Sequence, residues 1–192
     1  MHKLVYFALD LEASGPVPPL YNLLSIGVTT VKPDGDHHVL GNSLYLELQP
    51  IFPGFDAEAV AVCGLDVKRL AREGLPPREA MECLDAWVRK EAGPGTSRVF
   101  VGHNAVFDWS YIAYYYAHFE MDNPFGYKGI DSKSLAMGRL GISWTETSKE
   151  NLQSLLSLPP QDPLRIHRAD YDAHYQALIL KALLDRKPGA RS

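Results

Sequence analysis

Leu4-Val5-Tyr6-Phe7-Ala8-Leu9 is an unbroken apolar run that ends in Asp10-Leu11-Glu12, and no other feature restricts the fold of this chain as much. A short run without polar alternation is the pattern of a strand covered on both faces, so helices must lie above and below it. The period of two then sets Asp10 and Glu12 on one face of the strand end and Leu11 on the other. Two carboxylates that close repel each other unless a cation holds them. Taken alone, an Asp-x-Glu at a strand end is common and a weak sign of a metal site.

The elements that follow suit such a central strand. Leu23 to Val31 is apolar and β-branched, and Pro33-Asp34-Gly35-Asp36 supplies a turn. Leu44, Leu46 and Leu48 alternate with Tyr45 and Glu47, which predicts a half-buried strand and an antiparallel meander of three. The period then changes. Met81, Leu84, Trp87 and Val88 recur at helical spacing until Gly93-Pro94-Gly95, and Val99-Phe100-Val101 reads as a fourth strand. Asn104 can cap the next helix, with its stripe of Phe107, Tyr111, Tyr115 and Phe119. A short strand near Gly129-Ile130 leads to helices around 132–139, 150–156 and 169–185. The expectation is an α/β fold: a five-stranded mixed sheet, antiparallel first and parallel later, flanked by helices.

At 192 residues the chain suits one domain, here 1–186, with 187–192 as a flexible tail. Hydrophobic residues make up 46% and charged residues 22%, as in ordinary globular proteins. No apolar run approaches the roughly 18 residues that span a bilayer, so no membrane partner is expected. Met1-His2-Lys3 precedes no small-residue cleavage site, and Cys63 and Cys83 are too few for a disulfide framework, so the expected setting is cytoplasmic. A net charge of −4 at first sight argues against a nucleic-acid partner, and the lack of a long Lys/Arg stripe argues against tight binding to long duplexes. Four carboxylates committed to metal ions would leave the remainder balanced and compatible with a grip on a single-stranded end.

Two further acidic segments join the first. In Gly102-His103-Asn104-Ala105-Val106-Phe107-Asp108 a strand passes into a helix, and Asp108 lies in its first turn. An acid there also complements the helix dipole, which is the plainer explanation for it. In His167-Arg168-Ala169-Asp170-Tyr171-Asp172 a histidine precedes a helix that carries Asp172. Imidazole suits proton transfer near neutrality, and a solvated histidine at a polar helix start is the plainer alternative. Asp170, about 200° around the helix from Asp172, should face away.

Each segment is weak alone, but in this order the three resemble the motifs of the DEDD exonuclease superfamily, histidine subgroup. Those motifs are Asp-x-Glu on a strand, His-Asn-x-x-Phe-Asp, and His-x-x-x-x-Asp. The likeness runs from residue 4 to about 184, and Asn123-Pro124-Phe125, Asp131 and the final His-x-x-x-Tyr-Asp look nearest to ribonuclease T. The resemblance implies a ribonuclease H-like fold and a 3′→5′ exonuclease that releases nucleoside 5′-monophosphates from single-stranded DNA or RNA 3′ ends or short oligonucleotides. It also implies two divalent ions, Mg²⁺ or Mn²⁺, held by Asp10, Glu12, Asp108 and Asp172, with Asp108 acting through water. His167 would be the general base. By analogy with ribonuclease T and oligoribonuclease, a homodimer is compatible.

Ala13-Ser14-Gly15 stands where the family carries Thr-Thr-Gly, so a contact to the terminal nucleotide is either missing or taken by Ser14, beside Gly15. Asn104 and Trp109 are further candidates for substrate contact, although a capping Asn104 and a core Trp109 are the plainer readings. Two other functions fit the same residues: a nucleic-acid-binding module with little catalysis, or a two-metal hydrolase of short oligonucleotides or nucleotides.

Overall fold

In the computed structural model, which describes residues 3–186, β1 (Leu4–Ala13) is the middle strand of a five-stranded sheet. β2 (Leu23–Asp34) and β3 (His37–Glu47) run antiparallel on one side of it. β4 (Ser97–Gly102) and β5 (Gly129–Asp131) run parallel on the other, giving the order β3-β2-β1-β4-β5. This is the mixed sheet expected of a ribonuclease H-like fold. The expected 187–192 tail lies outside the described residues.

The two faces of β1 are covered as its apolar run requires. Phe7, Leu9 and Leu11 point toward α3 (Pro77–Ala92) and α4 (Ala105–His118), where Met81, Leu84, Tyr111 and Tyr115 complete a core. Phe7 and Phe100 are fully buried, and each such side chain contributes about 2–3 kcal/mol. On the opposite face Ala8 meets Val101, Ala177 and Leu180, the last two from α7 (Ala169–Asp185). The alternation along β1 therefore sends Asp10 and Glu12 to the α7 side. A register irregularity between Glu12 and Ala13 ends the regular ladder just past the acids.

The α4 tyrosines tie this core to the connection between β1 and β2. The Tyr111 hydroxyl donates to the Gly15 carbonyl at 2.7 Å, and the Leu23 N–H donates to the Tyr115 hydroxyl at 3.0 Å. Phenol groups buried this deeply need such partners.

The structure departs from the sequence pattern in two places. The turn after β2 is only Gly35-Asp36, because Pro33 and Asp34 still pair with His38 and His37, and Gly35 takes the left-handed φ of 63° that such a tight turn needs. Between β3 and α3, where the sequence shows no periodic element, lie α1 (Ala57–Cys63) and α2 (Val67–Glu73). Each has two turns, too short for an amphipathic period to show. Each starts on an aspartate, Asp56 or Asp66, that accepts from two backbone N–H groups. The remaining helices, α5 (Ser132–Leu140) and α6 (Lys149–Leu155), follow the expected order.

Gly27 on β2 decides how closely α7 approaches. It pairs with Asp10, and a Cβ at this position would stand 1.9 Å from the Ala169 backbone carbonyl oxygen. The obstacle is helix backbone, which cannot swing aside as a side chain can. Gly27→Ala is therefore expected to destabilise the protein by about 1–3 kcal/mol through overpacking, read from urea denaturation. An unchanged midpoint would show that α7 is not seated by this contact.

Candidate metal centre and active site

The site forms where β1 ends against the first turns of α7. Asp10 and Glu12 come from the strand and Asp172 from the helix, and one carboxylate oxygen of each lies within 4.8 Å of the others. Glu12 and Asp172 are buried, whereas Asp10 keeps some access to solvent. Three hard oxygen donors at this spacing suit a divalent cation, so the cluster can hold a metal ion.

Asp108 stands beside the three from the first turn of α4, 4% exposed. Its Oδ1 accepts the Leu11 N–H at 3.1 Å, which fixes it to the strand backbone between Asp10 and Glu12. His167 precedes α7 with a left-handed φ of 64°, and its N–H donates to Asp172 Oδ2 at 2.8 Å. A non-glycine residue held there is strained, as at many functional sites. All five residues line one cleft of ≈ 370 Å³, with the histidine at its exposed mouth. Asp170 instead faces outward and pairs with Arg168 at 3.2 Å, as its angle around the helix predicts.

Two residues of the cluster have no part in the sequence reading. Lys149, at the start of α6, hydrogen-bonds Asp172 Oδ1 through its ammonium, which lies 3.6 Å from Asp10 Oδ1. Gln176, one turn beyond Asp172, donates to Asp10 Oδ1, while its buried Oε1 has no hydrogen-bond partner among the described residues. A spacing of four from Asp172 in an otherwise apolar stripe was a usable signal for Gln176. Lys149 left none, because its contact depends on a loop closing over 23 residues of chain.

The charges explain the electrostatics. Burial and the Asp10 and Asp172 charges push the Glu12 carboxyl up to about 9. Burial raises Asp10 to about 7, with Lys149 pulling it down and Asp172 pushing it up. Asp108 is raised by burial and then by Asp10. Burial alone would lower the Lys149 ammonium, but Asp10 and Asp172 outweigh it and hold its pKa above the ordinary value. His103, in the cleft wall, is lowered to about 4 by burial and then by Lys149 and Lys133, so it is neutral, and its Nδ1 lies 2.8 Å from the Ser132 hydroxyl.

The candidate substrate contacts are placed less uniformly. Ser14 is fully buried; its hydroxyl donates to the Gly54 carbonyl at 2.8 Å and accepts the Asn22 N–H at 2.8 Å, so it faces the fold and not the cleft. Gly15 is pressed against the Tyr21 ring, where a Cβ would stand 2.2 Å from it. Trp109 packs edge-on to Phe100 with centroids 5.1 Å apart and lines a separate depression with Tyr127. Asn104 does line the acidic cleft. It occupies the N-cap position of α4 at φ 73° without a side-chain cap bond. Asp131 serves that end instead, accepting the Ala105 N–H at 2.8 Å through Oδ2 while its Oδ1 caps α5 through Ser134.

No family model matches the chain. The sequence is 34% identical over 184 residues to the 3′-5′ DNA exonuclease Cap18 of Escherichia coli, covering 96% of this chain and 93% of that protein. The nuclease domain of 3′hExo, a DEDDh family member bound to rAMP, superposes with a TM-score of 0.77 at 13% identity, over 93% of this chain and 90% of that one. Exonuclease I of Escherichia coli, in a zinc-bound complex with single-stranded DNA, superposes with a TM-score of 0.72 at 16% identity over 98% of this chain and 42% of its own. The structural likenesses establish the fold.

The raised carboxyls set a pH dependence. In the folded protein Glu12 and Asp10 keep protons that the unfolded chain has already lost. Their contribution to stability is complete below the unfolded carboxyl range and is lost as pH rises through the folded values. In EDTA the melting temperature is therefore expected to fall between about pH 5 and pH 9, and a divalent ion should remove that fall by supplying positive charge. A melting temperature that is flat or rises over this range in EDTA would contradict the raised carboxyls.

Proposed function

The chain belongs to the DEDD superfamily of 3′→5′ exonucleases, and on that footing we propose that it removes nucleoside 5′-monophosphates from single-stranded DNA 3′ ends. The observation that carries this reading is the convergence of Asp10, Glu12, Asp108, Asp172 and His167 on one cleft. A cleft of ≈ 370 Å³ is of a size to take a single unstacked nucleotide. DNA is favoured over RNA by the 34% identity to a DNA exonuclease.

Asp10, Glu12 and Asp172 would hold one divalent ion and Asp10 a second, with Asp108 engaged through water. Oxygen donors without thiolate fit Mg²⁺ or Mn²⁺. Two such ions, when bound, lower the pKa of the attacking water and stabilise the charge that builds on the phosphodiester. His167, at the cleft mouth, takes the proton of the attacking water on an imidazole nitrogen. The new bond forms between that oxygen and phosphorus, the bond from phosphorus to the 3′ oxygen breaks, and solvent protonates the leaving oxygen. Phe107, which lines the cleft, would offer an apolar contact to the terminal base, and Asn104 a polar one. We place the protein in a reducing, cytoplasmic setting, supported by the free thiols of Cys63 and Cys83. A homodimer is compatible with this reading, by analogy with ribonuclease T and oligoribonuclease.

The test uses 5′-labelled single-stranded DNA and RNA oligonucleotides with Mn²⁺. The expected result is a ladder shortening from the 3′ end, faster on DNA and absent in Asp10→Ala. Faster shortening of RNA would reverse the substrate assignment. No shortening of either polymer by folded protein with bound metal would sink the proposal and favour a binding module. His167→Ala is expected to lower kcat by about 10²–10⁴-fold with oligonucleotide affinity nearly unchanged; near-normal turnover would remove His167 from the reaction.

A further inference from the structure

The carboxylate cluster contains a cation that belongs to the chain itself. The Lys149 ammonium hydrogen-bonds Asp172 Oδ1 and lies 3.6 Å from Asp10 Oδ1, and its side chain is 18% exposed. The first turn of a helix is an unfavourable place for a lysine, because the dipole there repels positive charge. The carboxylates, and not α6, therefore determine where this ammonium rests. The root of the side chain is well fixed. Ser148 caps α6 by accepting the Asn151 N–H at 3.2 Å, Leu152 is fully buried in the core beneath α7, and the buried Thr147 donates to the Trp144 carbonyl at 2.6 Å. Beyond that root, a flexible four-carbon stem lets the ammonium turn toward the cleft without moving the backbone.

Asp10 and Asp172 supply two of the three closely spaced carboxylate oxygens that can hold a metal. An ion bridging these two acids would need the space between them, within a few ångströms of the ammonium. Two positive charges at such separation repel strongly in a partly buried site. An oxygen lone pair directed at the ammonium is also lost to the ion. We propose that Lys149 is a built-in competitor for the divalent ion, occupying the place between Asp10 and Asp172 and leaving it when the ion binds. This inference rests on reading the cluster as a metal centre. Lys149 thereby sets the metal affinity of the site: the ion binds only the fraction of molecules whose lysine has turned away, and its apparent affinity is reduced by that fraction.

Mn²⁺ binding measured by calorimetry on wild-type protein and Lys149→Met tests the idea. The variant keeps the length of the stem and removes the charge. Its dissociation constant for Mn²⁺ is expected to be about tenfold lower or better, as removal of a competing state predicts. Equal or weaker binding by the folded variant would overturn the inference. Wild-type protein gives a second readout that needs no substitution: limited acetylation of amines, followed by peptide mass spectrometry, with and without Mn²⁺. Lys149 should label slowly in EDTA and several-fold faster with Mn²⁺, relative to the exposed Lys68. Mn²⁺ binding with unchanged protection of Lys149 overturns the competitor alone. Failure of wild-type protein to bind Mn²⁺ overturns the metal centre and the competitor together.

Discussion

Four carboxylates, Asp10, Glu12, Asp108 and Asp172, stand together at the end of β1, and much of the surrounding structure serves to hold them there against their repulsion. The chain answers with local compensation. The Leu11 N–H binds Asp108, the His167 N–H binds Asp172, Gln176 binds Asp10, and the Lys149 ammonium reaches Asp172 and lies near Asp10. None of these neutralises Glu12, whose carboxyl is held far above its ordinary range. A cluster of this kind is poised for divalent cations, because only a compact, highly charged ion satisfies several carboxylates at once.

That concentration of charge rests on an apolar frame. Phe7, Leu9 and Leu11 lock one face of β1 to α3 and α4, while the small residues Ala8 and Gly27 let α7 lie close on the other. The close approach brings Asp172 and Gln176 to Asp10. A side chain at Gly27 would meet the Ala169 backbone and push α7 away from the acids on β1. The strained backbone of His167 lies at the same place, as does Gln176 Oε1, which has no hydrogen-bond partner among the described residues.

The residues around the acids show how one pattern can divide its roles. Ser14 and Gly15 lie just past the acid pair, after Ala13, yet they bind the β1–β2 connection to the loop at Gly54 and to Tyr111. Asn104 sits where a helix cap belongs and leaves the capping to Asp131, which joins the starts of α4 and α5 through one carboxylate. The side chain of Asn104 is thereby free for the cleft.

Much of this was legible in the sequence wherever one element carried the signal. An unbroken apolar run before Asp-x-Glu specified a central strand and two acids on one face, since strand geometry has a fixed period of two. The stripes of α3 and α4, the start of α7 and the outward turn of Asp170 followed from the helical period in the same way. The two-turn helices α1 and α2 lay below that resolution, because seven residues hold too few repeats for a period. Tertiary structure alone decided the rest. Lys149 meets Asp172 across 23 residues, Gln176 meets Asp10 across 166, and Leu11 meets Asp108 across 97. Helical spacing marks Gln176 as a polar residue on the face of Asp172, but the partner that each of these groups meets has no local signature, because it depends on how whole elements pack and not on any pattern within one of them.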